Sequence, residues 1–146
     1  AVKGDTLPSI NKLVDLYNLT SLKYVIPVGG EDLDTIQGDL RLGLSDGTEM
    51  FTRIGGQENE PPLAGEVVYK DDAGVVCRRW NWREADRTKL TEHTRNAVIV
   101  VDGLAELGKD VIEAATNELA QLTVSYCGGK THVAILDREK TELILR

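Results

Sequence analysis

The chain has 146 residues, 41% of them hydrophobic and 28% charged, with a formal net charge of −7. Such a chain is expected to be one soluble globular domain that buries a core without disulfide or metal staples. The acidic balance excludes DNA and any broad grip on nucleic acid, which needs a basic footprint. No apolar run approaches the roughly 18 residues of a membrane span, so no membrane partner is expected. Cys77 and Cys127 are too few for a disulfide framework and stand in apolar surroundings. They read as buried thiols of a cytoplasmic protein. No basic segment leads into an apolar stretch, so no signal peptide is expected. The chain starts at Ala1 without methionine, which leaves room for an N-terminal extension.

In chain order, Ile10, Leu13, Val14, Leu16 and Tyr17 recur at helical spacing, with Ser9 placed as the cap. A short helix or turn over Ser21 to Tyr24 follows. Gly29-Gly30-Glu31-Asp32-Leu33-Asp34 reads as a turn. Leu40 to Leu44 and Met50 to Ile54, separated by Ser45-Asp46-Gly47, predict a hairpin. Gly55 to Pro62 is a loop, because two glycines and two prolines break any regular element. Glu66 to Tyr69 and Val75 to Cys77 predict a second strand pair around Asp71-Asp72-Ala73-Gly74. Ala97 to Val101 predicts a buried strand. From Leu104 to about Tyr126 the residues Leu107, Val111, Ile112, Ala115, Leu119 and Leu122 form one apolar stripe, a helix ended by Gly128-Gly129. Val133 to Leu136 supplies a last strand. The order implies an α+β fold, with helices on one face of a mainly antiparallel sheet and no repeat or linker.

Arg78 to Thr91 gathers both tryptophans and much of the basic charge. Residues 78 to 95 carry a local charge of +3 within the acidic whole. If the strand begun at Val75 continues to Trp82, its period of two puts Trp80 and Trp82 on one face and Arg79, Asn81 and Arg83 on the other. Guanidinium groups beside an amide hold a carboxylate or phosphate in a forked geometry. The alternative is that the indoles fill core and the arginines pair with Glu84 and Asp86. Gly129-Lys130-Thr131 resembles the tail of a phosphate-binding loop, but Val124 stands where its first glycine belongs. His93, His132, Cys77 and Cys127 lack zinc-ligand spacing, and no nucleophile elbow is present. No metal or cofactor is expected. The acidic loops Glu31/Asp32/Asp34 and Glu58/Asn59/Glu60, with Glu66, complement the Arg/Trp segment in charge, as a pocket for a zwitterionic ligand would. Asp46, Asp71 and Asp72 are expected only to solvate turns.

The residues Leu7-Pro8-Ser9-Ile10-Asn11, Pro27 to Asp34, Glu58 to Pro62, Gly65 to Tyr69, Arg78 to Glu84, Arg87 to Thr91 and Thr94 to Ala97 resemble the editing and tRNA-binding (B three/four) module. That module occurs within the bacterial phenylalanyl-tRNA synthetase beta subunit and in free-standing proteins, which these motifs match more closely. The resemblance runs from about Leu7 to Leu104, and residues 1–146 then form one such domain with an added C-terminal helix and strand over about 104–137. It implies a three-layer fold, an unusual β-sandwich with helices outside. It also implies hydrolysis of an amino acid wrongly attached to tRNA. Two departures alter the pocket. Trp80-Asn81-Trp82-Arg83 replaces a glycine-rich turn of the synthetases, and the strand after Asn96 lacks their glutamate, leaving Asp102 as the nearest acid.

Two functions are therefore expected, an aminoacyl-tRNA hydrolase acting in trans or a module that binds an aminoacyl ligand or RNA without turnover; a scaffold role is the third reading. The parts needed to ligate an amino acid to tRNA are absent. Residue chemistry assigns Arg79, Asn81 and Thr91 to carbonyl or ribose contacts, and Glu60 or Glu66 to the ammonium. Trp80 or Trp82 would form the side-chain wall, and His93 or Asp102 would orient water as the catalytic residues. Glu31, Asn59, Arg83 and Thr88 complete the binding set.

Overall fold

Asn11 starts the first helix, its side-chain oxygen accepting the Val14 amide at 3.0 Å. The helix α1 spans Lys12–Tyr24, so the short second helix of the sequence reading is its last turn. Ser9 is not the cap. Its hydroxyl donates instead to Asp15 at 2.5 Å, and the Ile10 amide donates to the same carboxylate, folding the entry segment onto the first turn. Val25 closes α1 in the left-handed region (φ 56°, ψ 45°), where its amide donates to Ser21. A β-branched residue is strained there and glycine is not. Val25→Gly is expected to raise stability by about 0.5–1 kcal/mol, read from chemical unfolding.

The structure, a computed structural model, describes residues 8–145; Leu7, where the resemblance begins, lies outside the described residues. Two compact units are present, one made of the segment ending at Ile26 with the chain from Val101 onward, the other of Pro27–Val100. In the first, α1 packs against α2 (Lys109–Cys127). Glu118 of α2 receives Lys23 Nζ at 2.6 and 2.7 Å and the Tyr24 hydroxyl at 2.5 Å. α2 begins five residues later than the stripe suggests, because a 3₁₀ turn over Ala105–Leu107 and Gly108 at φ 86° precede it. Cys127, expected to be buried, is exposed in the last turn of α2. Val133 to Leu136 is not a strand, since no described strand offers it a ladder.

The second unit holds the sheets. β1 (Val28–Asp32) pairs with β6 (Ala97–Val101), and β2 (Arg41–Leu44), β3 (Val67–Lys70), β4 (Val75–Arg78) and β5 (Arg83–Glu84) form an antiparallel sheet in that order. The predicted hairpin of Leu40–Leu44 with Met50–Ile54 does not form. Leu44 pairs with Val67 and the Ser45 amide donates to Glu66 at 2.8 Å, so β3 occupies that edge. The Met50 segment runs instead past the far strands: the Val75 amide donates to Met50, and Arg53 bridges Ala85. Phe51, Val68, Val75 and Ala85 form the core of this unit. The order and pairing are the mixed α+β class with antiparallel strands that the sequence predicts. Among the described residues no helix is long and apolar enough to cross a membrane.

Candidate functional site

The strand that was to carry both indoles stops at Arg78, which faces Arg83 across the β4–β5 hairpin. Arg79 and Trp80 turn into the left-handed region at φ 50° and 67°. Trp80 and Trp82 therefore do not share one face of an extended strand. Trp82 is 56% exposed, with the guanidinium carbons of Arg79 and Arg83 at 4.7 and 4.2 Å from its ring centre. Arg78 anchors the turn from below. Its Nε and Nη2 each donate to Glu66 at 2.8 Å, its Nη1 donates to the Glu60 carbonyl at 2.9 Å, and it lies over the Phe51 ring. The Arg78 guanidinium, with the Leu63 and Arg79 amides, outweighs burial and holds the Glu66 carboxyl down at about 2.

A second group lies where β1 meets the β5 edge. Glu31 is 4% exposed and faces Glu84, and Thr88 is fully buried beside it. Glu31 Oε2 and Thr88 Oγ1 are buried without a hydrogen bond of good geometry. Burial and the neighbouring Glu84 carboxyl push the Glu31 carboxyl far above the usual range, against smaller effects of Thr88 and Arg87. Two neighbouring carboxyls out of water resist ionising together, so this environment favours the neutral form of Glu31. Gly29 permits the approach: a Cβ there would stand 2.8 Å from Glu84 Oε1. Burial first, then the charges of Glu84 and Glu31, raises the Cys77 thiol, which is no nucleophile.

Chain segments far apart in sequence are stitched around this group. Asp32 receives the Thr94 hydroxyl at 2.6 Å and its amide donates to the Thr88 carbonyl at 2.8 Å. Asn96 donates to Asp34 at 2.9 Å, and the Leu33 amide donates to Asn96. The Gly29–Asp34 segment and the Thr88–Asn96 loop thus come together. Thr91 and His93 are exposed on that loop, where Thr91 Oγ1 accepts the His93 amide. Asn59 accepts the Phe51 amide at 2.9 Å, and Glu60 pairs with Arg53 at 3.0 Å. Asn81 is half-buried in the hairpin turn, and Asp102 is buried in the other compact unit. Among the described residues no group of three or more His, Cys, Asp or Glu is arranged to hold a metal ion.

The family model of the B3/4 domain matches residues 1–128. The chain belongs to the B3/4 domain family. In fold, this B3/4 domain is similar to an N-terminal fragment of the phenylalanyl-tRNA synthetase beta-subunit from Pyrococcus horikoshii. The TM-score is 0.65 and the identity 18%, over 81% of this chain. The chain spans 40% of the length of that fragment. Comparison with curated proteins gives no match.

Three features of this B3/4 domain escaped the sequence reading. Glu84 was considered only as a partner for arginine, whereas it meets Glu31. Asp71, read as a turn solvator, is 5% exposed and is the acceptor at the centre of a network described below. Asp86 pairs with Lys89 at 2.6 Å rather than with an arginine.

Proposed function

We propose that this B3/4 domain is an editing-type hydrolase that acts in trans on the ester of a wrongly charged aminoacyl-tRNA. The observation that carries the reading is the buried Glu31 set beside Glu84 within a domain of this family. Ester hydrolysis needs a base to take a proton from the attacking water and an acid to return one to the ribose oxygen as it leaves. A carboxylate beside a carboxylic acid supplies both roles. The likeness in fold to a synthetase beta-subunit fragment supports the choice of substrate class. The contacts of Arg79, Asn81 and Thr91 with carbonyl or ribose, and of His93 with water, belong to the same proposal.

Deacylation of a panel of mischarged tRNAs tests it. Release above the buffer rate is expected for at least one amino acid, with a loss of about 10²–10⁴ in kcat for Glu31→Gln and Glu84→Gln. No release from any member of the panel removes the hydrolase reading. One observation favours a second reading, a module that binds without turnover: Glu60 and Glu66, the acids meant for the ligand's ammonium, already hold Arg53 and Arg78. Thermal stabilisation by an aminoacyl ligand with no product formed would select it.

A further inference from the structure

The β4–β5 turn carries a surface apart from the Glu31–Glu84 pair. Its left-handed residues Arg79 and Trp80 are not glycines, and bulky residues are strained in that region. Tertiary and local hydrogen bonds hold them there. The Arg79 amide donates to Glu66 Oε1 at 3.1 Å and the Trp80 amide to the Val67 carbonyl at 2.7 Å. The Asn81 and Trp82 amides donate to Arg79 and Arg78 at 2.9 and 3.2 Å. The half-buried Arg78–Glu66 pair fixes the base of the turn, and the strained backbone aims Trp82, Arg79 and Arg83 outward.

Trp82 is large, apolar and mostly in water, which costs free energy that packing inward would recover. The ion-paired arginines among the described residues are Arg41, Arg53, Arg78 and Arg87, so the guanidinium groups of Arg79 and Arg83 lie against the Trp82 ring with no carboxylate to neutralise them. A complementary ligand must offer a flat π face and negative charge on both sides of it. An acidic peptide has the charge without the plane, and a duplex keeps its bases stacked on one another. An unpaired nucleotide within a strand has both, because its base stacks on indole or guanidinium planes and its two phosphates flank it. The chain's net charge of −7 limits such contact to this turn.

We propose that the Arg79–Trp82–Arg83 turn is a binding platform for one unpaired nucleotide of a single-stranded RNA, with the base stacked on the platform and the flanking phosphates held by the two arginines. The choice of RNA over DNA rests on the proposed function; the stacking geometry does not. Fluorescence anisotropy of a labelled short oligoribonucleotide, free of any amino acid, tests it. The single strand is expected to bind more tightly than its own duplex. Trp82→Ala is expected to weaken binding about tenfold or more, and Trp82→Phe to retain most of it. Arg79→Ala with Arg83→Ala is expected to lower the slope of log K against log salt by about 1.4, the single-strand value for two phosphates. Equal binding of the duplex, an unchanged affinity in Trp82→Ala, or tighter binding of an acidic peptide than of the RNA overturns the platform. Oligonucleotide binding without deacylation removes the hydrolase alone, and deacylation without dependence on Trp82 removes the platform alone.

Discussion

Asp71→Ala is expected to destabilise the Pro27–Val100 unit by about 1–3 kcal/mol, the cost of leaving the part-buried amides that it accepts without a partner. The Asp71 side chain is wholly buried against Arg87, whose Nη1 and Nη2 donate to it at 2.9 and 2.8 Å. It also accepts the amides of Gln37, Ala73 and Gly74 at 2.8, 2.9 and 3.1 Å. One carboxylate therefore closes the β3–β4 turn, ties it to the segment before β2 and seats the Arg87 stretch that leads to Thr88. Gly74 shows how little slack the turn has. It sits at φ 146°, and a Cβ there would stand 2.5 Å from the Met50 carbonyl. Both tryptophans lie in this unit, so urea unfolding followed by indole emission reads the loss. Asp72→Asn is the control. Asp72 is a mostly exposed partner of Arg41, and its loss is expected to cost no more than about 1 kcal/mol. Equal effects at the two positions would mean that burial of Asp71 contributes nothing.

That contrast shows where the sequence was legible and where it was not. Asp71 and Asp72 are adjacent acids before a glycine, and nothing local distinguishes them. Their partners do: Arg87 lies 16 residues and Gln37 34 residues from Asp71. The same limit applies to Arg79 and Trp80. A period of two is the correct reading of an extended strand, but hydrogen bonds to Glu66 and Val67 bend this one at Arg79. The helix α2 was legible because its stripe is intrinsic to a helical face, although its start was set by Gly108, a residue outside the stripe. Met50 to Ile54 has the composition of a strand, yet β3 competes for β2 and wins with four paired residues. The Arg/Trp cluster was legible as a surface of interest because its chemistry is concentrated within six residues. The Glu31–Glu84 pair was not, because its members belong to strands 53 positions apart and neither carries a local mark.

The raised Glu31 carboxyl makes stability depend on pH in an unusual direction. Glu31 is protonated in the folded state well above 4.5, its ordinary value, and ionised there when unfolded. From about pH 4.5 upward the folded chain therefore holds one proton more than the unfolded chain, and stability falls by at most about 1.4 kcal/mol per pH unit. The contribution is complete below the unfolded value and is lost as pH rises towards the folded one. The groups that face the pair are Thr88, Arg87 and the Cys77 thiol. Glu66 and Asp71 act in the opposite sense. Their carboxyls are lowered by Arg78 and, against the opposing effect of burial, by Arg87 and neighbouring amides, so their stabilisation is present above the ordinary carboxylate range and lost as pH falls. The two limbs meet around the ordinary carboxylate range, where the Pro27–Val100 unit is expected to be most stable. Glu31→Gln keeps the size of the side chain and removes the titration. It is expected to flatten the decline between pH 5 and pH 8, to be more stable than the parent at pH 8, and to leave the acid limb unchanged. Indole-monitored urea unfolding at pH 5, 6, 7 and 8 measures both chains. A parent curve that is flat over this range, or a Glu31→Gln curve that declines in parallel with it, would show that the Glu31 carboxyl is not raised in the folded state.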